Sequence, residues 1–301
     1  MWINGRGGQL PNRFAQCLTG HTGVLGVIGD PIAHSLSPAM HNAALQALDK
    51  DYIYVPFAVS PLHVQEAVAG VKALGIKGIN VTIPHKVAVI DYLDEVDPVA
   101  QLIGAVNTIS NQAGRLIGYN TDGYGFLRSL QEEAGRDPEG QKVVLLGAGG
   151  AARAVGFQLA LSKIQSLVVA NRTESRALAL AAEIHEQTGC PTVGSGLDSL
   201  DSHLSAADIL INTTSLGMYP QITTVPPVEI EHLPPTALVC DIVYNPSETL
   251  LIQKAADSGR ATLPGLGMLA YQGAAALELW LQVKAPIDVM KTALRMQLAS
   301  Q

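Results

Sequence analysis

The residues best suited to chemistry sit in short polar clusters, each bordering an apolar run. In Asn80-Val81-Thr82-Ile83-Pro84-His85-Lys86, strand alternation puts Asn80 and Thr82 on one face and packs Val81 and Ile83 on the other. Lys86 then falls in the first turn of whatever follows Pro84, where the positive end of a helix dipole opposes a cation. Local inconsistencies of this kind collect at functional sites. The segment from Asp30 to Pro38 follows a strand and opens a helix, with Ser37 as the expected N-cap and Pro38 as the first helical residue. Capping does not explain Ser35, nor His34 and His41 on either side. Two hydroxyls at the carboxyl end of a strand suit a carboxylate held by hydrogen bonds. Ala105-Val106-Asn107-Thr108 and Tyr119-Asn120-Thr121-Asp122-Gly123 are further clusters of the same kind. His34, His41 and His85 lack a ligating spacing with carboxylates, so no metal site is predicted.

A second chemistry is written at Gly147-Ala148-Gly149-Gly150-Ala151-Ala152, between the aliphatic run Lys142–Leu146 and a helical stretch. Gly147 permits a tight turn, Gly149 lets the backbone approach a pyrophosphate, and small Ala152 lets helix and strand pack closely. The helix N-terminus offers free N–H groups to phosphate. A Gly-rich turn alone is a weak signal; strand before and helix after raise it to a dinucleotide site. The next strand ends in Asn171-Arg172-Thr173-Glu174-Ser175-Arg176. An NAD site usually offers an acid there, whereas Asn171 with Arg172 and Arg176 suits a 2′-phosphate. Alone the two arginines read as a solvated helix face; about 20 residues past a Gly-rich turn they favour NADP.

The elements that must position these groups alternate along the chain. Strands are predicted at 24–29, 52–59, 78–83, 142–146, 167–170, 208–212 and 238–243. Helices are predicted at 38–48, 62–73, 123–134, 151–160, 174–187, 248–257 and 269–280. This alternation predicts an α/β protein with mostly parallel sheets and helices on both faces. At 301 residues the chain is long enough for two domains. The charged, Gly- and Pro-bearing stretch 135–141 reads as the surface loop entering the second βαβ unit.

With 48% hydrophobic and 15% charged residues the composition excludes disorder. The net charge of −7 means that any anion site is built locally. There is no polybasic run for nucleic acid, and no apolar stretch suited to spanning a bilayer. Cys17, Cys190 and Cys240 are far apart and unpaired in pattern, which fits a reducing, cytoplasmic compartment. The first 20 or so residues lack a signal-peptide core and read as a loose extension.

In chain order the motifs are Ser-Leu-Ser-Pro, Asn-Val-Thr-Ile-Pro-His-Lys, Gly-Ala-Val-Asn-Thr, Asn-Thr-Asp-Gly, Gly-Ala-Gly-Gly-Ala, Asn-Arg-Thr, Asn-Thr-Thr-Ser-Leu-Gly-Met and Gly-Leu-Gly-Met-Leu. From Val24 onward the chain closely resembles the shikimate dehydrogenase family. The resemblance implies NADPH-dependent reduction of 3-dehydroshikimate to shikimate, in the route to chorismate and aromatic amino acids. It implies that Ser35 and Ser37 bind the substrate carboxylate, and that Asn80, Thr82, Asn107, Asp122 and Gln272 hold its hydroxyls and Lys86. Tyr244 would reach the substrate from the nucleotide domain. Cofactor contacts would come from Gly147, Ala148, Gly149, Gly150 and Ala151, from Asn171, Arg172, Thr173 and Arg176, and from Ile242 and Gly265. Lys86 is the best proton donor and Asp122 its partner.

The implied architecture is a substrate domain of residues 1–123 with 269–301, and a Rossmann-like NADP domain of residues 124–268. The C-terminal helices return to the substrate domain, because Gln272 must sit beside Lys86. The expected partner is a small molecule, with no nucleic acid or membrane, in a monomer or homodimer. A quinate/shikimate dehydrogenase of relaxed specificity is the alternative, and a non-catalytic sensor the alternative from another class. Retention of Lys86, Asp122 and the nucleotide turn argues against the sensor.

Overall fold

The computed structural model describes residues 18–300, so Cys17 and most of the expected extension lie outside the described residues. The first half opens with β1 (Gly23–Gly29), α1 (Ser37–Ala47), β2 (Tyr52–Ala58), α2 (Val64–Ala73) and β3 (Gly78–Val81). It continues with β4 (Glu95–Val96), α3 (Pro98–Ile103), β5 (Thr108–Gln112), β6 (Arg115–Tyr119) and α4 (Asp122–Glu132). The sheet order is β2-β1-β3-β5-β6-β4. β1 pairs in parallel with β2 and β3, so side chains on both its faces are covered. Leu25 and Val27 pack with Met40, Ala44 and Leu45 of α1, while Ile28 joins Val64, Val68 and Val71 of α2.

Three expectations fail in this half. The strand through Asn80 stops at Val81, and Ile83 is 72% exposed instead of packed. His85 N donates to the carbonyl of Thr82, so the chain turns through Ile83–Val87 and leaves the sheet. Lys86 therefore sits in a run of turns before a 3₁₀ segment, Ala88–Tyr92, and not in the first turn of an α-helix. In addition, Ser37 is the first residue of α1 and Leu36 its cap, without a side-chain bond. Ser35 Oγ accepts the Ser37 N–H at 3.3 Å, a local turn that leaves the Ser37 hydroxyl free of capping.

The second half runs β7 (Lys142–Leu146), α5 (Gly150–Leu161), β8 (Ser166–Ala170), α6 (Glu174–Thr188), β9 (Thr192–Ser195) and α7 (Asp201–Leu204). Then come β10 (Ile209–Asn212), β11 (Leu238–Asp241), α8 (Leu250–Asp257) and β12 (Ala261–Leu263). These strands form an all-parallel sheet in the order β12-β11-β10-β7-β8-β9. That is the doubly wound Rossmann order, whose switch point lies between β7 and β10, at the end of the strand leading into Gly147.

The helices α9 (Leu266–Leu281) and α10 (Ile287–Ala299) carry the chain back to the first sheet. Trp280 on α9 is buried, and its Nε1 donates to the carbonyl of Ile109 on β5 at 2.9 Å. Met290 and Leu294 of α10 join Leu25 and Val27 in one core. The two halves also share apolar packing. Ile103, Phe126 and Leu130 cluster with Ala152, Val155 and Phe157 of α5. Gly123 makes that approach possible, since a Cβ there would lie 2.4 Å from the carbonyl oxygen of Ala154. The helix that begins at Asp122 is thereby laid on the helix that begins at the Gly-rich turn.

Candidate active site

Lys86 Nζ lies 2.6 Å from Asp122 Oδ2, with the two side chains 27% and 13% exposed. The pair is 36 residues apart in sequence and is brought together by two different elements. Lys86 is pinned through its backbone, whose carbonyl accepts from Val106 N at 2.8 Å. Asp122 starts α4, and its other oxygen accepts from Asn107 Nδ2 at 2.8 Å. Asn107 is itself fully engaged: Nδ2 also donates to Thr121 Oγ1, while Oδ1 accepts from Thr121 N and Thr108 Oγ1. A buried amide so anchored fixes the carboxylate, and the carboxylate fixes the ammonium.

The network continues away from the pair. Asn80 Nδ2 donates to Thr108 Oγ1 at 3.0 Å and to the Asn107 carbonyl at 3.2 Å, and Asn80 Oδ1 accepts from the Tyr54 hydroxyl at 2.8 Å. Thr82 follows the end of β3 and Ser35 lies in the loop between β1 and α1; the two segments are joined by Asp30 N donating to the Ile83 carbonyl at 3.0 Å. Gln272 is buried on α9 and turns its Nε2 onto the Leu269 carbonyl at 2.9 Å. Tyr244 packs from the second half against the core of the first, together with Leu266 and Leu269. Burial raises its phenol pKa.

The Gly-rich turn has the shape a pyrophosphate needs. Gly147 has φ +110°, and a Cβ on it would meet Thr213 Oγ1 at 2.8 Å. A Cβ on Gly149 or Gly150 would meet nothing within 4 Å, so the space before the α5 N-terminus is open. No side chain caps that terminus, which leaves its N–H groups for a ligand. Arg176 reaches back to the turn, with Nη2 3.5 Å from the Ala148 carbonyl. Arg172 and Thr173 are exposed beside it, and Asn171 Nδ2 donates to the Thr173 carbonyl at 3.0 Å. The residues present therefore fit a dinucleotide with a charged ribose. Ile242 N donates to the Asn212 carbonyl at 3.1 Å, and Gly265 N to the Val243 carbonyl at 3.3 Å, which draws both into the same rim.

Three family models match the chain. They are the shikimate dehydrogenase substrate binding domain over residues 27–109, shikimate/quinate 5-dehydrogenase over 129–230, and the shikimate 5′-dehydrogenase C-terminal domain over 265–295. The shikimate dehydrogenase (NADP(+)) of Desulforamulus reducens is 46% identical over 94% of this chain and 98% of its own length. The chain belongs to the shikimate dehydrogenase family. A solved shikimate dehydrogenase in complex with NADP+ superposes with a TM-score of 0.88 at 46% identity, covering 94% of this chain and 98% of that one. The Listeria monocytogenes enzyme in complex with shikimate and NAD gives 0.89 at 38% identity, over 94% and 100%.

The hydrogen bonds also bring out groups that the motifs alone did not single out. Tyr54 sits inside an apolar strand pattern, where a hydroxyl gives no periodic signal. Arg153 donates to Glu183 through both terminal nitrogens at 2.6 Å, three residues past Gly150. Asp241 is buried at the end of β11 and accepts from Thr249 Oγ1 at 2.6 Å, Asn212 Nδ2 at 2.9 Å and Val243 N at 3.0 Å. Burial pushes its carboxyl up to about 6 despite those bonds. It ties the loop of Ile242 and Tyr244 to the loop after β10. Among the described residues no group of histidines, cysteines and carboxylates is arranged to hold a metal, and no helix is long and apolar enough to cross a membrane.

Proposed function

We propose that this chain interconverts shikimate and 3-dehydroshikimate with NADP as hydride carrier, in the biosynthesis of chorismate and the aromatic amino acids. The observation that carries the reading is the 2.6 Å Lys86–Asp122 contact, on a helix laid directly against the dinucleotide helix. The dinucleotide, when bound, supplies the hydride for reduction of the ketone and takes it back in the oxidation.

Lys86 gives a proton from Nζ to the oxygen on which negative charge develops, and receives it in reverse. Asp122 holds Nζ in place, and Asn107 holds Asp122. Proton donation of this kind is worth about 10²- to 10⁴-fold. Ser35 and Ser37 bind the carboxylate, Thr82, Asn80, Tyr244 and Gln272 orient the ring hydroxyls, and Asn107 serves the substrate site through Asp122. Among the described residues the Thr82 and Tyr244 hydroxyls have no protein partner, which supports their use for substrate. Gly147 to Ala151, Ile242 and Gly265 border the dinucleotide, while Asn171, Arg172, Thr173 and Arg176 meet its 2′-phosphate.

The division of labour we assign is residues 1–123 with 269–301 for substrate and 124–268 for nucleotide. Closing the two around the ligands excludes water from the hydride path. We assign the chain to the cytoplasm, as a monomer or homodimer. The decisive assay adds purified protein to 3-dehydroshikimate and NADPH. NADPH consumed one for one with shikimate formed is the expected result; no consumption rejects the reading.

A further inference from the structure

Thr108 ends one of the polar clusters that the sequence marks, yet no ligand contact is assigned to it. It is the first residue of β5 and is wholly buried. In the sheet it pairs with Asn80 of β3 on one side and with Tyr119 of β6 on the other. Asn107 occupies a bend just before the strand, so strand alternation does not separate its side chain from that of Thr108. The Thr108 hydroxyl therefore lies between two amides, with Asn80 Nδ2 at 3.0 Å and Asn107 Oδ1 at 3.0 Å.

The main chain fixes which way each amide faces. Asn80 Nδ2 also meets the carbonyl of Asn107 at 3.2 Å, and a carbonyl only accepts, so nitrogen must lie on that side. Asn107 Oδ1 meets the N–H of Thr121 at 2.8 Å, and an N–H only donates, so oxygen must lie on that side. Thr108 thus receives a hydrogen from Asn80, and Asn107 offers an acceptor-only oxygen for its own single proton. Thr121 Oγ1, at 3.3 Å, is the more distant choice. The other end of the Asn107 amide donates to Asp122 Oδ1 at 2.8 Å, and Asp122 Oδ2 holds Lys86 Nζ at 2.6 Å. A fully buried hydroxyl is in this way coupled to the ammonium.

We propose that Thr108 is a positioning residue for proton transfer, whose buried hydroxyl locks the Asn107 amide that holds Asp122 against Lys86. It acts through Asn107 and touches neither substrate nor cofactor. Without the hydroxyl, one Asn80 amide hydrogen faces no acceptor in a buried layer, which is costly. Asn107 Oδ1 then keeps only its contacts with Thr121. The amide is free to shift, and the carboxylate and ammonium shift with it. The strand pairing of Thr108 is made by the main chain and is retained. The inference rests on the reading of Lys86 and Asp122 as the proton-transfer pair.

The test is steady-state kinetics with saturating shikimate and varied NADP+ for wild type, Thr108→Val and Thr108→Ser, with Thr108→Val also placed in Lys86→Ala. Thr108→Val keeps the shape and removes the hydroxyl, while Thr108→Ser keeps the hydroxyl and removes the methyl group. One neutral hydrogen bond corresponds to roughly 3- to 10-fold in rate. Thr108→Val should lose kcat by about that factor with the KM for NADP+ little changed, and Thr108→Ser should stay close to wild type. In Lys86→Ala the same Thr108→Val change should cost far less, because the ammonium it positions is gone. A kcat for Thr108→Val equal to wild type overturns the proposal. So does the same fold-loss in both backgrounds, or a Thr108→Ser as slow as Thr108→Val, since either marks Thr108 as packing alone. Should Thr108→Val not fold, Thr108→Cys, of similar size with only a weak S–H donor, takes its place in every comparison. Turnover by wild type and by Lys86→Ala tests the functional reading, and the Thr108 ratios test this one, so the two fail separately.

Discussion

Arg153 Nε donates to the main-chain carbonyl of Ile103 at 2.7 Å, tying α5 to the segment that leads into Asn107. Ile103 is the last residue of α3, and Gly104 ends that helix in the left-handed region. Ala105 and Val106 follow, and then Asn107, the residue that holds Asp122. Glu183 grips the same guanidinium with two bonds, and its carboxyl is held below the usual range chiefly by that contact. One side chain therefore connects the helix that follows the Gly-rich turn to the segment that carries Asn107. Arg153→Ala should lower unfolding stability by about 1–2 kcal/mol, discounted for partial exposure. It should also lower kcat more than it raises the KM for NADP+. Urea denaturation and steady-state kinetics check this; a normal kcat would leave the link without catalytic consequence.

Gly123 tests the same geometry sterically. A methyl group there meets backbone at Ala154, which cannot rotate away. Gly123→Ala should push α4 off α5, move Asp122 with it, and cost about 1–3 kcal/mol as overpacking does. Turnover should fall further than this loss of folded protein explains. Full activity at a temperature where the variant is folded would show that the contact does not position Asp122.

Arg172→Asp should weaken NADPH far more than NADH. A lost charge-assisted bond corresponds to about 10- to 150-fold, with repulsion from the new carboxylate added. Titration of each dinucleotide by protein fluorescence reads this directly. Equal losses would mean that Arg172 does not meet the 2′-phosphate.

Asp241 carries a pH signature. Its carboxyl stands at about 6 in the folded protein against an ordinary 3.8. Between those values the folded state binds more protons than the unfolded one, so its contribution to stability falls as pH rises through this window. Two units correspond to about 3 kcal/mol. Asp241→Asn cannot titrate, although its amide nitrogen gives up one of the accepted bonds, so the melting temperature of the variant relative to wild type should rise as pH goes from 4 to 7. A gap independent of pH would contradict the buried ionised carboxylate.

The parts of the site legible in the sequence were local ones. The turn at Gly147 is read from neighbours in the chain, because strand, glycines and helix follow one another. Lys86 and Asp122 were marked by their clusters, yet nothing in their spacing joins them, and their partnership came through the family resemblance. The hairpin of β5 and β6 was missed because Ala113, with φ +54°, takes the first left-handed position of its turn, where Asn or Asp would have given the signal. Ser37 was assigned to capping on residue type, whereas Ser37 is the first residue of α1 and its N–H is taken by the Ser35 hydroxyl. Nothing in the sequence marks Arg153, since its partners, Ile103 and Glu183, are brought to it by tertiary packing alone.

The central claim is that Lys86, held by Asp122, moves the proton that accompanies hydride transfer. Its most direct test is shikimate-dependent reduction of NADP+ by wild type and Lys86→Ala, with NADP+ affinity measured on both. The account predicts ready turnover by wild type, a fall in kcat of about 10²- to 10⁴-fold in the variant, and nearly unchanged NADP+ binding. A variant that turns over shikimate at close to the wild-type rate would contradict it.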